Sequence, residues 1–385
     1  MKLLHTADWH VGRTIRGRSR ADEHRAVLDE IIAIAREEVV DLVVVAGDLF
    51  DVSAPAPESE AIVYRALLGL ASTGTDDVLI AGNHDHPRRL AAVRPLLDLT
   101  RVRTAAHIAR PDDGGVADIR TRTGAKVRVA MLPFVSQRAI VRADALMAQD
   151  AGDHVLAYVD RYRRITSMLC EGFDAGCINI VVAHATVFGA RLGGGEREAH
   201  TIDDYHVTAN VFPSTAHYVA LGHVHHTQRI HGACPVWYSG SPLQLDFGEG
   251  ANEPRVLLVE MDADVPARVR EIPLTSGRRL LTARGSLAEL EARADDFGED
   301  YLRIVLTDAA RSDLADAARA ALPNAVDVLI ARDDEAADAG AAWTIDQVRR
   351  SPVELFSKFL AERDFNDPAL TGLFAELLAA DADHD

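Results

Sequence analysis

The stretch Asp41-Leu-Val-Val-Val-Ala-Gly-Asp-Leu-Phe-Asp51 decides the fold. Its apolar residues from Leu42 to Ala46, rich in β-branched Val, read as a strand buried on both faces. Gly47 then lets the backbone turn and presents Asp48 at the strand's carboxyl end. In open α/β sheets, ligands and metals collect in the crevice beyond those ends. Asp48 is therefore the hub of the reading.

The neighbouring segments repeat the pattern. Lys2 to Ala7 is a predicted strand ending at Asp8-Trp-His10, and Val78 to Ala81 one ending at Gly82-Asn83-His84-Asp85. Between them, Ala21 to Val40 and the proline-led stretch to about Ala71 have helical spacing. Strand, helix, strand, helix, strand is the signature of a layered α/β domain. Short alternating strands are expected from Ala105 to Phe134, a helix over about 136–170 and a loop from Val187 to Thr201. Two more apolar strands end at His184 and at Gly222-His223-Val-His225, and strands near Pro235 to Tyr238 and Pro254 to Glu260 follow. The expected division is 1–274 for this domain, 275–332 for a small α+β module, 333–344 for a linker and 345–385 for terminal helices.

Length and composition set bounds. At 385 residues and 48% apolar content, the chain can build more than one domain around large cores. The strand pattern that begins at Lys2 leaves no room for a leader, and no apolar run approaches a membrane span, so a cytoplasmic protein with no membrane contact is expected. Cys170, Cys177 and Cys234 lack metal-site or disulfide spacing and read as inert thiols. A net charge of −18 excludes nucleic-acid binding by charge alone, so any DNA contact is local, metal-assisted or shared with a partner. The local exception is the basic run containing Arg13, Arg16, Arg18 and Arg20, which reads either as a solvated surface or as a phosphate contact.

Taken singly, a His or Asp after a strand is a cap or a turn former more often than a ligand. Asp8, His10, Asp48, Asn83, His84, His184, His223 and His225 at five strand ends are not explained that way. Imidazole nitrogen with carboxylate or amide oxygen, and no thiolate, suits manganese, iron or zinc. The set is too large for one ion, and a bridging Asp48 at the centre of a two-metal site accommodates it. Trp9 reads as core, since an aromatic content of 5% offers no stacking surface for bases.

Asp8-x-His10, Gly47-Asp48, Gly82-Asn-His-Asp85, His184 and Gly222-His-x-His225 together resemble the calcineurin-like metallophosphoesterase superfamily. His5-Thr-Ala-Asp-Trp-His-Val-Gly12 and the downstream layout are more narrowly similar to the bacterial SbcD exonuclease subunits. The resemblance implies an α/β fold: a β-sandwich flanked by helices, with a small α+β capping domain and C-terminal helices. Two divalent ions, Mn²⁺ by preference, are implied. One would be held by Asp8, His10, Asp48 and His225, and the other by Asp48, Asn83, His184 and His223. His84, oriented by Asp85, would act on the phosphate or the leaving group, with His84 as a ligand in place of Asn83 the competing assignment. Some nucleases of this type carry a histidine where Asp51 stands, which opens the question of what repositions the phosphate here.

The implied activity is 3′–5′ exonuclease on duplex DNA ends and endonuclease on hairpins and single strands, in repair, recombination and replication. The implied partners are an SbcC-type coiled-coil ATPase and a second copy of the chain, a homodimer within a heterotetramer. The apolar stripe Val353, Leu355, Phe356, Phe359 and Leu360 would dock on the ATPase, or else pack on its own domain. Two other readings stand beside this one: a phosphatase or phosphodiesterase of the superfamily acting on a small molecule or phosphoprotein, and a non-catalytic scaffold, which would show eroded ligands.

Overall fold

In a computed structural model the described residues are 1–136, 151–194, 196, 206–331, 360, 370 and 372–373. The chain divides into two units, Met1–Ile330 and Ala331–Asp385. The first unit opens with β1 (Lys2–Thr6), a hairpin of β2 (Thr14–Ile15) and β3 (Arg18–Ser19), α1 (Ala21–Glu37), β4 (Leu42–Val45), α2 (Pro57–Ala71), β5 (Asp76–Ile80), α3 (Pro87–Leu97) and β6 (Val102–Ala105). Then come β7 (Val116–Arg120), β8 (Lys126–Leu132), α4 (Ala151–Cys170), β9 (Ile178–His184), β10 (Thr186–Val187), β11 (His206–Val207), β12 (Tyr218–Gly222), β13 (Gln228–Ile230) and β14 (Val236–Tyr238). A long hairpin of β15 (Arg255–Asp262) and β16 (Val265–Pro273) precedes β17 (Leu280–Gly285), α5 (Leu287–Glu291), β18 (Tyr301–Leu306), α6 (Leu314–Ala321) and β19 (Ala325–Ile330).

Two six-stranded sheets result, ordered β16-β15-β1-β4-β5-β6 and β13-β14-β12-β9-β8-β7. Within them β1, β4, β5 and β6 run parallel, as do β8, β9, β12 and β14, so each sheet collects its carboxyl strand ends along one edge. The alternation along β4 shows why the run Leu42 to Val45 has no polar residue. Leu42 and Val44 face the layer between the sheets with Leu3, Val78, Val129, Ile180 and Ala220. Val43 and Val45 face the opposite layer, packed by Val27, Ile31, Val63 and Leu67 of α1 and α2. The second sheet is covered in the same way by Tyr158, Tyr162 and Leu169 of α4. A sandwich with helices on both outer faces buries every central strand twice.

Helix starts follow local chemistry: Pro57 and Pro87 occupy first-turn positions of α2 and α3, and Asp22 and Glu23 face the positive end of α1. The sequence reading did not include α3, β6 or the hairpin β2–β3, and two further departures have a local cause. Strand β16 went unseen: it is an edge strand, mostly exposed, whose alternating Val265, Ala267 and Val269 are interleaved with Pro266, Arg268 and Arg270. Helix α1 stops at Glu37 instead of reaching Val40, because Val39 adopts a left-handed φ of 57°. Cys170 and Cys234 are buried thiols that burial pushes up to about 12 and about 11, as inert thiols should be.

The parallel sheet β17-β18-β19 forms with α5 and α6 a separate apolar core around Leu290, Ile304, Leu306, Leu314 and Ala318. A smaller cluster of Ile15, Phe247, Leu280 and Tyr301 joins it to the sandwich. In the second unit Leu360 is helical and half-buried, while Val353, Leu355, Phe356 and Phe359 lie outside the described residues. So do 333–344, most of the residues of the two expected terminal helices, and 137–150 of the helix expected over 136–170. Among the described residues no helix is long and apolar enough to cross a membrane.

Candidate metal centre

The crevice beyond the strand ends is built by loops that could not close with ordinary residues everywhere. Gly47 has φ of 94°, and a Cβ there would strike the His184 ring. A Cβ on Gly82 would fall inside Asp48 itself. These two glycines let the β4 and β5 loops touch, and four of the candidate donors are themselves held at positive φ: Asp8 at 52°, His10 at 44°, Asp48 at 52° and His223 at 98°. Non-glycine residues adopt that region at a cost of about 1–3 kcal/mol each, and they do so mainly at functional sites.

Both sheets contribute. Asp8 and His10 follow β1, Asp48 follows β4, and Asn83 with His84 follows β5; His184 ends β9, and His223 and His225 follow β12. In-register pairing of Gly222 with His184 sets the last two loops side by side. Around Asp48, Oδ2 lies 3.6 Å from His10 Nε2 and 3.3 Å from His184 Nε2. Asn83 Oδ1 lies 2.9 Å from His184 Nε2 and 2.7 Å from His223 Nδ1. Candidate donor atoms of Asp8, His10 and His225 converge within 4.8 Å of one another, as do those of Asp48, His184 and His223, and those of His10, Asp48 and His84.

The electrostatics of the bare chain are those of crowded, buried donors. Burial, with Asp48 nearby, pushes Asp8 up to about 7. Burial opposes a charge on His184, but the Asp48 carboxylate outweighs it and raises this histidine to about 9. His225 is raised to about 9 against burial by the Glu249 carboxylate at 2.8 Å. His10 is compensated less: burial outweighs the nearby Asp51 and Asp48 carboxylates and lowers it to about 4, and both of its ring nitrogens are buried without a hydrogen-bond partner. An imidazole 2% exposed with two orphaned nitrogens, beside two buried carboxylates, fits a cation and is costly without one. The residues present therefore suit divalent metal ions.

Some expected residues hold other positions. Asp85 does not serve His84 as expected: its carboxylate accepts N–H groups from Leu49 (3.3 Å), Phe50 (3.1 Å) and Gly82 (2.9 Å), which ties the β4 loop to the β5 loop. The ring of His84 is oriented instead by Asp51, whose carbonyl lies 2.7 Å from Nδ1, while the backbone N–H of His84 donates to Asp48. Asp51 also sets its carboxylate 3.5 Å from His10 Nδ1 and 3.3 Å from Arg13 Nη1. His5 is buried under the site between Tyr218 Oη and the Leu221 carbonyl, His226 is half-buried, and His86 is exposed at the start of α3. Trp9 is fully buried and donates to Thr6, as core packing requires.

The basic run is largely consumed by the fold. Arg20 is buried, bonded to Glu23 and to the Gln244 carbonyl, which removes it from any phosphate. Arg16 pairs with Asp327 at 2.8 Å and Arg18 donates to the Pro323 carbonyl, so the hairpin β2–β3 grips the small third sheet. Arg13 alone of the four lies beside the donors.

Sequence reasoning missed Glu249 and Glu196. The first touches the ring of His225; the second accepts that residue's backbone N–H at 3.1 Å. Neither stands at a strand end, so no pattern marked them.

Comparison with known proteins places this geometry. Residues 1–227 match the calcineurin-like phosphoesterase family, and residues 276–364 match a family described as Type 5 capsule protein repressor C-terminal domain. The chain is 33% identical to the SbcD subunit of the SbcCD nuclease of Bacillus subtilis over 302 residues, covering 77% of this chain and 76% of that one. It is 31% identical to the protein of the same name in Rhodobacter capsulatus over 388 residues, covering 93% and 94%. The Escherichia coli K12 protein of that name is 31% identical over 305 residues, covering 77% and 74%.

Proposed function

Because the chain belongs to the calcineurin-like phosphoesterase family, and within it to the SbcD subunits of SbcCD nucleases, we propose that it is a two-metal phosphodiesterase that cuts DNA. The observation that carries this reading is Asp48, a carboxylate 1% exposed with one oxygen between His10 from the β1 loop and His184 from the other sheet. Asp8, His10, Asp48 and His225 would hold one ion, and Asp48, Asn83, His184 and His223 the other. Two such cations, Mn²⁺ by preference, supply an activated water and neutralise charge on the phosphate when bound.

The rest is the work of the chain. Asp85 fixes the spacing between the Asp48 and Asn83 loops, so that donors from two elements stay in one geometry. His84, with its Nδ1–H held on the Asp51 carbonyl, delivers a proton from Nε2 to the leaving 3′ oxygen when its ring is in the imidazolium form. Asp51 takes the place of a second histidine by anchoring His84 and Arg13 together, and Arg13 is the phosphate contact of the basic run. None of the expected donor positions is eroded, which speaks against a scaffold.

On this reading the substrate is duplex DNA degraded from 3′ ends, with hairpins and single strands cut internally, in the cytoplasm. A chain carrying −18, with Arg20 buried and Arg16 and Arg18 engaged on the small third sheet, needs a partner to hold DNA. An SbcC-type ATPase supplies that surface and docks on the terminal helices of 345–385, which follow the capping module 275–332 and the linker 333–344. Pairing of two copies of the chain belongs to the same reading. The test is degradation of end-labelled duplex by the purified chain in Mn²⁺ beside Asp48→Ala. Metal-dependent loss of label by the wild type alone is expected. Hydrolysis of a small phosphodiester with DNA left intact, even after the ATPase is added, would move the substrate away from DNA.

A further inference from the structure

Glu249 takes no part in the chemistry above, yet it is 1% exposed and points at a donor. It ends the short turn Phe247–Glu249, with Oε1 2.8 Å from His225 Nδ1 and Oε2 accepting the Leu245 N–H at 2.7 Å. We infer that Glu249 is a positioning residue for His225, holding its imidazole with the proton on Nδ1 so that Nε2 offers its lone pair toward Asp8 and His10. This rests on the reading of His225 as a metal donor. An ionised carboxylate can only accept, and a neutral imidazole carries one N–H, so the contact selects one tautomer. Carboxylates behind metal-bound imidazoles also raise their basicity.

The surroundings fit that task. Glu196 grips the backbone of His225, which leaves the ring to Glu249. Glu249 is itself braced by Gln244, whose side chain donates to its carbonyl at 3.2 Å, and by Phe247, packed on Ile15, Leu280 and Tyr301 under the Arg303 guanidinium at 4.5 Å.

Glutamine discriminates this role from mere packing. Its single oxygen can satisfy either the Leu245 N–H or the His225 ring. If it stays on Leu245, the amide NH₂ faces Nδ1 and drives the ring proton to Nε2, where no metal can bind. If the amide turns over, NH₂ opposes the Leu245 N–H.

The experiment titrates Mn²⁺ calorimetrically into the metal-free full-length wild type, Glu249→Gln and Glu249→Ala, beside thermal melts. Expected is an affinity loss at one of two sites, about 10- to 100-fold in Glu249→Gln and smaller in Glu249→Ala. A packing role gives the opposite order, since Gln preserves the shape. Wild-type binding by a Gln chain that also melts as the wild type does, or a larger loss in the Ala chain, overturns the inference. Should the Gln chain not fold, the Ala chain decides: one weakened site supports the assignment and two unaltered sites overturn it. A wild type that binds two Mn²⁺ but spares DNA overturns the nuclease reading alone. One that binds no Mn²⁺ overturns both.

Discussion

Val39 and Asp48 stand at opposite ends of the same strand, β4, in nearly the same left-handed conformation, with φ of 57° and 52°. At the amino end the strain belongs to an exposed valine that follows α1 and touches no chemistry. At the carboxyl end it aims a buried carboxylate at histidines from two loops. The acids differ in the same way. Asp41, before β4, accepts the Lys2 N–H at 2.9 Å, and Asp76, at the start of β5, pairs with Arg103 at 2.8 Å, so each finds its partner inside the fold. Asp8 and Asp48 are set instead among several imidazoles at once, more donors than either carboxylate can pair with. Backbone strain is thus not by itself a mark of function; strain together with crowded, buried donors is.

Glycine substitution separates the two ends most sharply. Asp48→Gly relieves the same strain as Val39→Gly, but it should reduce phosphodiester hydrolysis on the order of 10³-fold or more, because it removes the shared donor. Retained turnover would break the comparison. Next comes His84→Gln, expected to reduce turnover roughly 10²-fold or more while Mn²⁺ affinity by calorimetry holds. A parallel fall in affinity would make His84 a ligand.

The amino end has one acid that did not find full compensation. Asp77 is buried, with one oxygen on Thr75 and the other without a partner, and burial pushes its carboxyl up to about 7. A folded value above the unfolded one means that ionisation opposes folding. The cost is absent below about pH 4, grows as pH rises, and is complete above about pH 7. Asp77→Asn should therefore raise stability at pH 8 by on the order of 2–4 kcal/mol and change little at pH 4, as chemical denaturation at the two pH values would reveal. Equal effects at both would refute the assignment. The smallest effect is expected of Val39→Gly: about 0.5–1 kcal/mol of added stability at a helix terminus that favours glycine, read as a higher Tm with hydrolysis unaltered.

What was legible in the sequence follows the same division. Strand ends are readable, because a doubly buried strand such as Leu42 to Val45 is continuously apolar and the polar residue that ends it stands out. That pattern picked out each donor the structure brings together. Charge was misleading where it was turned inward: Arg20 read as a solvated surface or a phosphate contact and is buried, since sequence does not tell which acid or carbonyl awaits a guanidinium. The family resemblance implied that Asp85 orients His84, yet its carboxylate serves backbone N–H groups across the loop. Glu249 was beyond reach, one of 59 acidic residues and placed by tertiary packing alone.

The central claim is that Asp48 joins two ions, and electron paramagnetic resonance of the Mn²⁺-loaded chain tests it most directly. Two ions about 3.5–4 Å apart across one carboxylate should give two Mn²⁺ per chain and an exchange-coupled spectrum, lost in Asp48→Ala. A single ion per chain, or two that give uncoupled signals, would contradict it.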